Sequence, residues 1–175
     1  MVSGYLPRVT PRFDLTNIPA AYTLPTLLRL SIMVLEQTGQ PLDIIQTYSH
    51  ANLQNNTLPA FLPHFEGVAK IPIVMNASPL NMGLLTTAGG PDWHPAPQGM
   101  KECTRSLAKD IPERAKEEGL KDIKIEDVSV SFGMREFEVK QGQGEVTMRS
   151  LPVVVGVTSL EQVRSSRSSS ISSSS

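Results

Sequence analysis

Apolar residues at Leu27, Leu28, Ile32 and Leu35, with Ser31 among them, recur at three- and four-residue spacing from Pro25 onward. That spacing predicts a helix with one buried face, and Thr38-Gly39-Gln40-Pro41 supplies its stop. The next run, 42–47, is short and β-branched between Pro41 and the polar Ser49-His50-Ala51-Asn52, which reads as a buried strand. The unit then repeats. Leu58, Phe61, Leu62 and Phe65 predict a helix over 58–68, followed by a second strand at 71–75. Pro59 fits the first turn of that helix, whereas Pro63 weakens it. After a loop rich in Gly and Pro, Met100, Cys103, Leu107 and Ile111 form a helical stripe within 97–119, and Pro112 is expected to kink or split it. A further helix is expected over 125–137, with Val128, Phe132 and Met134 as core contacts. The stretch 141–145 reads as an exposed turn, and 152–157 as a third strand buried on both faces.

Strands alternating with helices imply an α/β fold with a parallel sheet. Periodicity does not decide whether such a sheet closes into a barrel. At 175 residues the chain is long enough for a real core and too short for most complete eight-fold barrels. Hydrophobic residues at 39% and charged residues at 19% fit a soluble globular protein. Sixteen basic residues against 17 acidic ones, without a basic stripe, argue against nucleic acid as a partner. The single cysteine, Cys103, excludes an internal disulfide framework and fits a reducing compartment. No run of about 18 apolar residues argues for a membrane span, so a cytoplasmic location is expected. His50, His64 and His94 lack the tight spacing of a metal site and read as ordinary polar histidines, so no metal is expected.

The chemistry is concentrated where the strand 73–76 ends in Ala77-Ser78-Pro79-Leu80. Ligands in parallel α/β proteins sit at the C-terminal ends of strands, so Ser78 and the backbone around Leu80 are placed to hydrogen-bond a diphosphate while Pro79 sets the turn. The motif resembles the Ser-Pro-Leu of aldo/keto reductases, and three more matches follow in that family's order. Val2-Ser3-Gly4-Tyr5 is similar to the end of the fifth strand, Gln46 to the sixth-strand glutamine, and 153–159 with Leu160-Glu161-Gln162-Val163 to the eighth strand and its helix. The finer likeness, carried by Ser78-Pro79-Leu80-Asn81-Met82-Gly83-Leu84-Leu85-Thr86 and Gly90-Pro91-Asp92-Trp93-His94-Pro95-Ala96, is to the D-arabinose 1-dehydrogenase and L-galactose dehydrogenase branch. Tyr48-Ser49-His50 and Leu53-Gln54-Asn55 belong to the same likeness.

This resemblance implies the C-terminal half of a TIM-type (β/α)8 barrel over 1–163, with NAD(P) as cofactor and oxidation of an aldose to its lactone as activity. It implies cofactor contacts from Ser3, Gln46, Ser78, Pro79, Leu80, Gly83, Gly156, Val157 and Gln162, with Trp93 and His94 at a sugar. Gly156 stands where dedicated NADPH enzymes often carry Lys, which leaves NAD against NADP open.

Three departures qualify the expectation. The family's catalytic Asp, Tyr, Lys and His belong to the first four strands, and no tyrosine here aligns with the catalytic one: Tyr5, Tyr22 and Tyr48 fall elsewhere. The chain is therefore expected to lack the catalytic half and to be inactive alone, or else to serve as a non-catalytic interaction or regulatory half-barrel, in association with a full-length relative. Residues 8–24 interrupt what is contiguous in the family, between Leu6-Pro7 and Leu24-Pro25, and read as an insertion. Residues 164–175 are serine-rich and expected to be disordered, which puts adenine recognition in doubt.

Overall fold

The computed structural model describes residues 23–120, 123–140 and 145–156. Helix α1 (Thr23–Thr38) turns Leu24, Leu27 and Ser31 inward, and Ser31 satisfies its hydroxyl by donating to Leu27 O at 2.8 Å. Thr23 and Leu24, which the sequence assigns to the end of the insertion, thus open the first helix, and Leu24 is fully buried. Gly39 N donates to Leu35 O and closes α1, as the stop signal requires.

Strand β1 (Ile44–Tyr48) follows. Helix α2 (Leu58–Pro63) carries Pro59 in its first turn, where the missing N–H costs nothing. At Pro63 the α-helical ladder gives way to a wider π-helical turn, His64–Val68, closed by Ala69 N donating to His64 O. Strand β2 (Ile73–Ala77) lies parallel to β1, with Ile44 opposite Ile73 and Tyr48 opposite Ala77. Two strands joined by a helical crossover must pair in parallel, as expected from the order of elements.

Helix α3 (Gln98–Glu117) runs unbroken through Pro112, so the expected split does not occur. Proline removes one backbone bond, and the bonds on either side suffice to carry the helix on. Its buried side is also not the expected one. Thr104, Ala108 and Ala115 face inward, while Met100, Cys103 and Leu107 are exposed and Ile111 is half-buried. The small residues win because α3 lies close against the start of α4 (Ile125–Met134), where Leu85, Ala108 and Ile125 form a second, minor core. In α4 the buried residues are Ile125, Ser129, Val130 and Gly133; Val128, Phe132 and Met134 are only half-buried.

The helix expected to reach residue 137 stops at Met134, and Phe137 opens a strand instead. Strand β3 (Phe137–Lys140) alternates buried Phe137 and Val139 with exposed Glu138 and Lys140, a two-residue period that the sequence displays. It pairs antiparallel with β4 (Val146–Arg149), a strand not anticipated, and Arg149 Nη2 bonds Glu66 Oε1 at 2.5 Å. The expected turn at 141–145 lies outside the described residues but for Glu145. Strand β5 comprises only Val153–Val154 and adds to β2 in parallel, giving the order β1-β2-β5. It is half-buried rather than buried on both faces, because it lies at the sheet's edge.

Leu24, Leu27, Ile45, Leu58, Leu62, Phe65 and Val74 form the main core, which Phe137 and Val139 complete from the hairpin. Burial falls mainly on one face of the sheet, although Ala77 at the end of β2 is buried on the other. On that other face Ile44 is 51% exposed and Ile73 41%, so two aliphatic side chains remain in solvent among the described residues.

Candidate functional site

The C-terminal ends of the parallel strands share one device. Ser49 and Ser78 follow β1 and β2, and both adopt left-handed backbone, with φ of 55° and 62°. Ser49 N still reaches Ala77 O at 3.0 Å, and Ser78 N reaches Val154 O at 3.2 Å, so each strand makes one more ladder bond before the chain turns away. The Ser49 hydroxyl donates to Ser78 O at 3.4 Å across the gap.

Beyond Ser78 the backbone is unusual. Asn81, Met82 and Gly83 have φ of 46°, 52° and 85°. A non-glycine residue in this region costs on the order of 1 kcal/mol, so the loop needs outside support. Ser78 Oγ accepts from Met82 N at 3.3 Å and retains its own proton to donate. Asn81 N donates to Ser78 O, and Leu85 N to Leu80 O. At the far end Glu126, in the first turn of α4, accepts from Thr87 N at 2.7 Å and from its hydroxyl at 2.8 Å.

Two buried features hold this loop to the body. Asn76 is fully buried in β2, and its Nδ2 donates to Ala51 O at 3.0 Å and Gly133 O at 3.4 Å, joining the strand, the loop after β1 and helix α4. Gly133 suits the close approach there: a Cβ would stand 3.1 Å from Pro79 Cβ and 3.2 Å from Asn76 Nδ2, so a neighbour would have to give way slightly. Neither residue was singled out from sequence as a site residue. A polar Asn inside the apolar run 73–77 was the signal for the first; nothing local marks the second.

A second polar loop sits alongside. Asn52, buried, accepts the backbone N–H groups of Gln54 and Asn55 on its Oδ1 at 3.0 and 2.9 Å. Gln54 Oε1 in turn accepts from Asn81 Nδ2. His94, also buried, has both nitrogens engaged with backbone. Ala96 N donates to its Nδ1 at 3.0 Å, so Nε2 carries the proton and donates to Asn81 O at 3.0 Å. Trp93 beside it is 73% exposed.

Of the expected site residues, Ser78, Pro79, Leu80 and Gly83 share this one loop; His94 is tied to it through Asn81, and Trp93 precedes His94 in solvent. Gly156 is exposed and stands two residues beyond Val154, which pairs with Ala77. Gln46 lies exposed on the open sheet face opposite Met75, about 10 Å before Ser78 along the strand direction. Ser3, Val157 and Gln162 lie outside the described residues. Among the described residues no group of three His, Cys, Asp or Glu side chains is placed to hold a metal. No described helix is long and apolar enough to cross a membrane.

The chain resembles two sugar dehydrogenases. It is 31% identical over 123 residues, 70% of its length, to D-arabinose 1-dehydrogenase of Saccharomyces cerevisiae. It is 30% identical over 123 residues, 69% of its length, to L-galactose dehydrogenase of Arabidopsis thaliana. Each match covers 32% of the relative, so the chain spans about a third of the length of these curated relatives. No family model matches.

Proposed function

We propose that this chain is the pyrophosphate-holding part of an aldo/keto reductase that oxidises an aldose with NAD(P). The observation that carries this reading is the Ser78-Pro79-Leu80 loop at the C-terminal end of a parallel strand, in a chain similar to two sugar dehydrogenases. The three parallel strands with helices on one face are what part of a (β/α)8 barrel requires. The loop also suits the group. Ser78 keeps a hydroxyl proton to donate, and Gly156, two residues beyond β5, is exposed. When bound, NAD(P) would supply the hydride acceptor.

The chain's own residues then divide the work. The Ser78 hydroxyl and the Leu80 N–H donate to the diphosphate beside Gly83, whose own N–H is taken by Leu80 O, and Gln46, on the face that would line the barrel, holds the carboxamide. Trp93 offers a sugar an exposed aromatic face, while His94 fixes that loop. Proton transfer is not among these roles, since no tyrosine of the chain aligns with the family's catalytic one. Calorimetric titration with NADP+ and NAD+ tests the reading. Weak, saturable binding is expected, reduced roughly five- to tenfold in Ser78→Ala, as loss of about 1 kcal/mol of hydrogen bonding implies. No binding of either nucleotide overturns the proposal, and turnover of D-arabinose by this polypeptide alone overturns the assignment of roles.

A second reading, a non-catalytic interaction protein, draws on the open sheet face with Ile44 and Ile73. A discrete complex with a full-length relative in size-exclusion chromatography would favour it.

A further inference from the structure

Residues 78–83, just after β2, include four with positive φ, at Ser78, Asn81, Met82 and Gly83, and three of them are not glycine. Met82 is the telling one, because a long unbranched side chain gains nothing in left-handed backbone and has no local hydrogen bond to offer. Conformations of this kind persist where surrounding structure over-determines them. The bonds within the loop are short-range turns that an ordinary right-handed conformation could replace. The distant ones are different in kind. Gln54 reaches Asn81 from 27 residues earlier, and His94 reaches it from 13 residues later.

Both distant partners are themselves fixed. Gln54 is set by buried Asn52, whose carbonyl oxygen takes its backbone N–H. His94 is buried and orients its ring by accepting from Ala96 N. Asn81 is gripped from both sides, at its side-chain amide and at its backbone carbonyl. We propose that Gln54 and His94 are positioning residues, a latch that closes on Asn81 and holds the 78–83 backbone in its left-handed course, with the Ser78 hydroxyl and the Leu80 N–H as the donors it sets toward an anion. Preformed donors lose less on binding than donors that must first be ordered, so a latch of this kind raises affinity for a phosphate group without touching it. Its meaning for cofactor binding rests on the proposed function; the latch itself does not.

Amide hydrogen exchange on the full chain, without any nucleotide, tests it. Gln54→Leu removes the acceptor, Gln54→Glu keeps one, and Asn81→Gly removes the side chain at a position where glycine is comfortable. Exchange at Met82 and Gly83 is expected to speed up at least tenfold in Gln54→Leu and Asn81→Gly and to return toward wild type in Gln54→Glu, while amides of β1 and β2 keep their protection. Unchanged exchange at Met82 and Gly83 in Asn81→Gly, or equal acceleration in Gln54→Leu and Gln54→Glu, overturns the latch. Titration of the same proteins with NADP+ separates the two ideas. Binding at least threefold weaker in Gln54→Leu supports the latch as a positioning device. A wild-type chain that binds no nucleotide counts against the proposed function, and the latch still stands or falls by exchange.

Discussion

The body of the protein and the mouth at the strand ends are held by opposite means. In the body, α1, α2 and the π-helical turn press aliphatic and aromatic side chains onto one face of the sheet, and side-chain hydrogen bonds such as those of Ser31 and Thr47 only supplement the backbone ladders. At the mouth the ties are amides, hydroxyls and an imidazole: Asn52, Gln54, Asn76, Ser78, Asn81 and His94. Apolar burial is non-directional and tolerates exchange of similar shapes, whereas a hydrogen bond to one carbonyl does not. A fold whose stability and whose site geometry rest on different interactions can lose one and keep the other.

This contrast makes graded predictions, each readable by urea denaturation. Phe65, fully buried at the centre of the main core, should cost about 3–5 kcal/mol when cut to Ala, and a loss below about 1 kcal/mol would deny the body its apolar basis. Gly133→Ala, where body meets mouth, should cost about 1–3 kcal/mol, because its Cβ must displace Pro79 or Asn76. The Gln54–Asn81 pair should show a coupling of about 1 kcal/mol in a double-mutant cycle, and strict additivity would remove it from the mouth's ties. Ile44→Thr on the open face should change stability by less than about 0.5 kcal/mol; a loss of about 2 kcal/mol would mean that this face is covered.

The body was largely legible in the sequence, and the mouth only in part. The helix from Leu27 to Leu35 and the two parallel strands follow from spacing, since a 3.6-residue or continuous apolar pattern has one way to bury itself. Burial in α3 was misjudged because Met100, Cys103 and Leu107 are the more hydrophobic residues, yet Thr104, Ala108 and Ala115 permit the closer approach to α4. Phe137 read as the end of a helix because Val128, Phe132 and Met134 precede it, although the alternation through Lys140 already favoured a strand.

The sequence by itself determined which segments bury a face, that β1 and β2 run parallel, and that Ser78-Pro79-Leu80 follows the end of β2. Each is a local property, set by residue type and spacing over a few turns. Only the tertiary structure decided that Gln54 and His94 meet at Asn81, that Asn76 ties β2 to α4, and that Gly133 stands tight against Pro79 and Asn76. Those contacts join residues 13 to 57 positions apart, and no local preference encodes a partner at that distance.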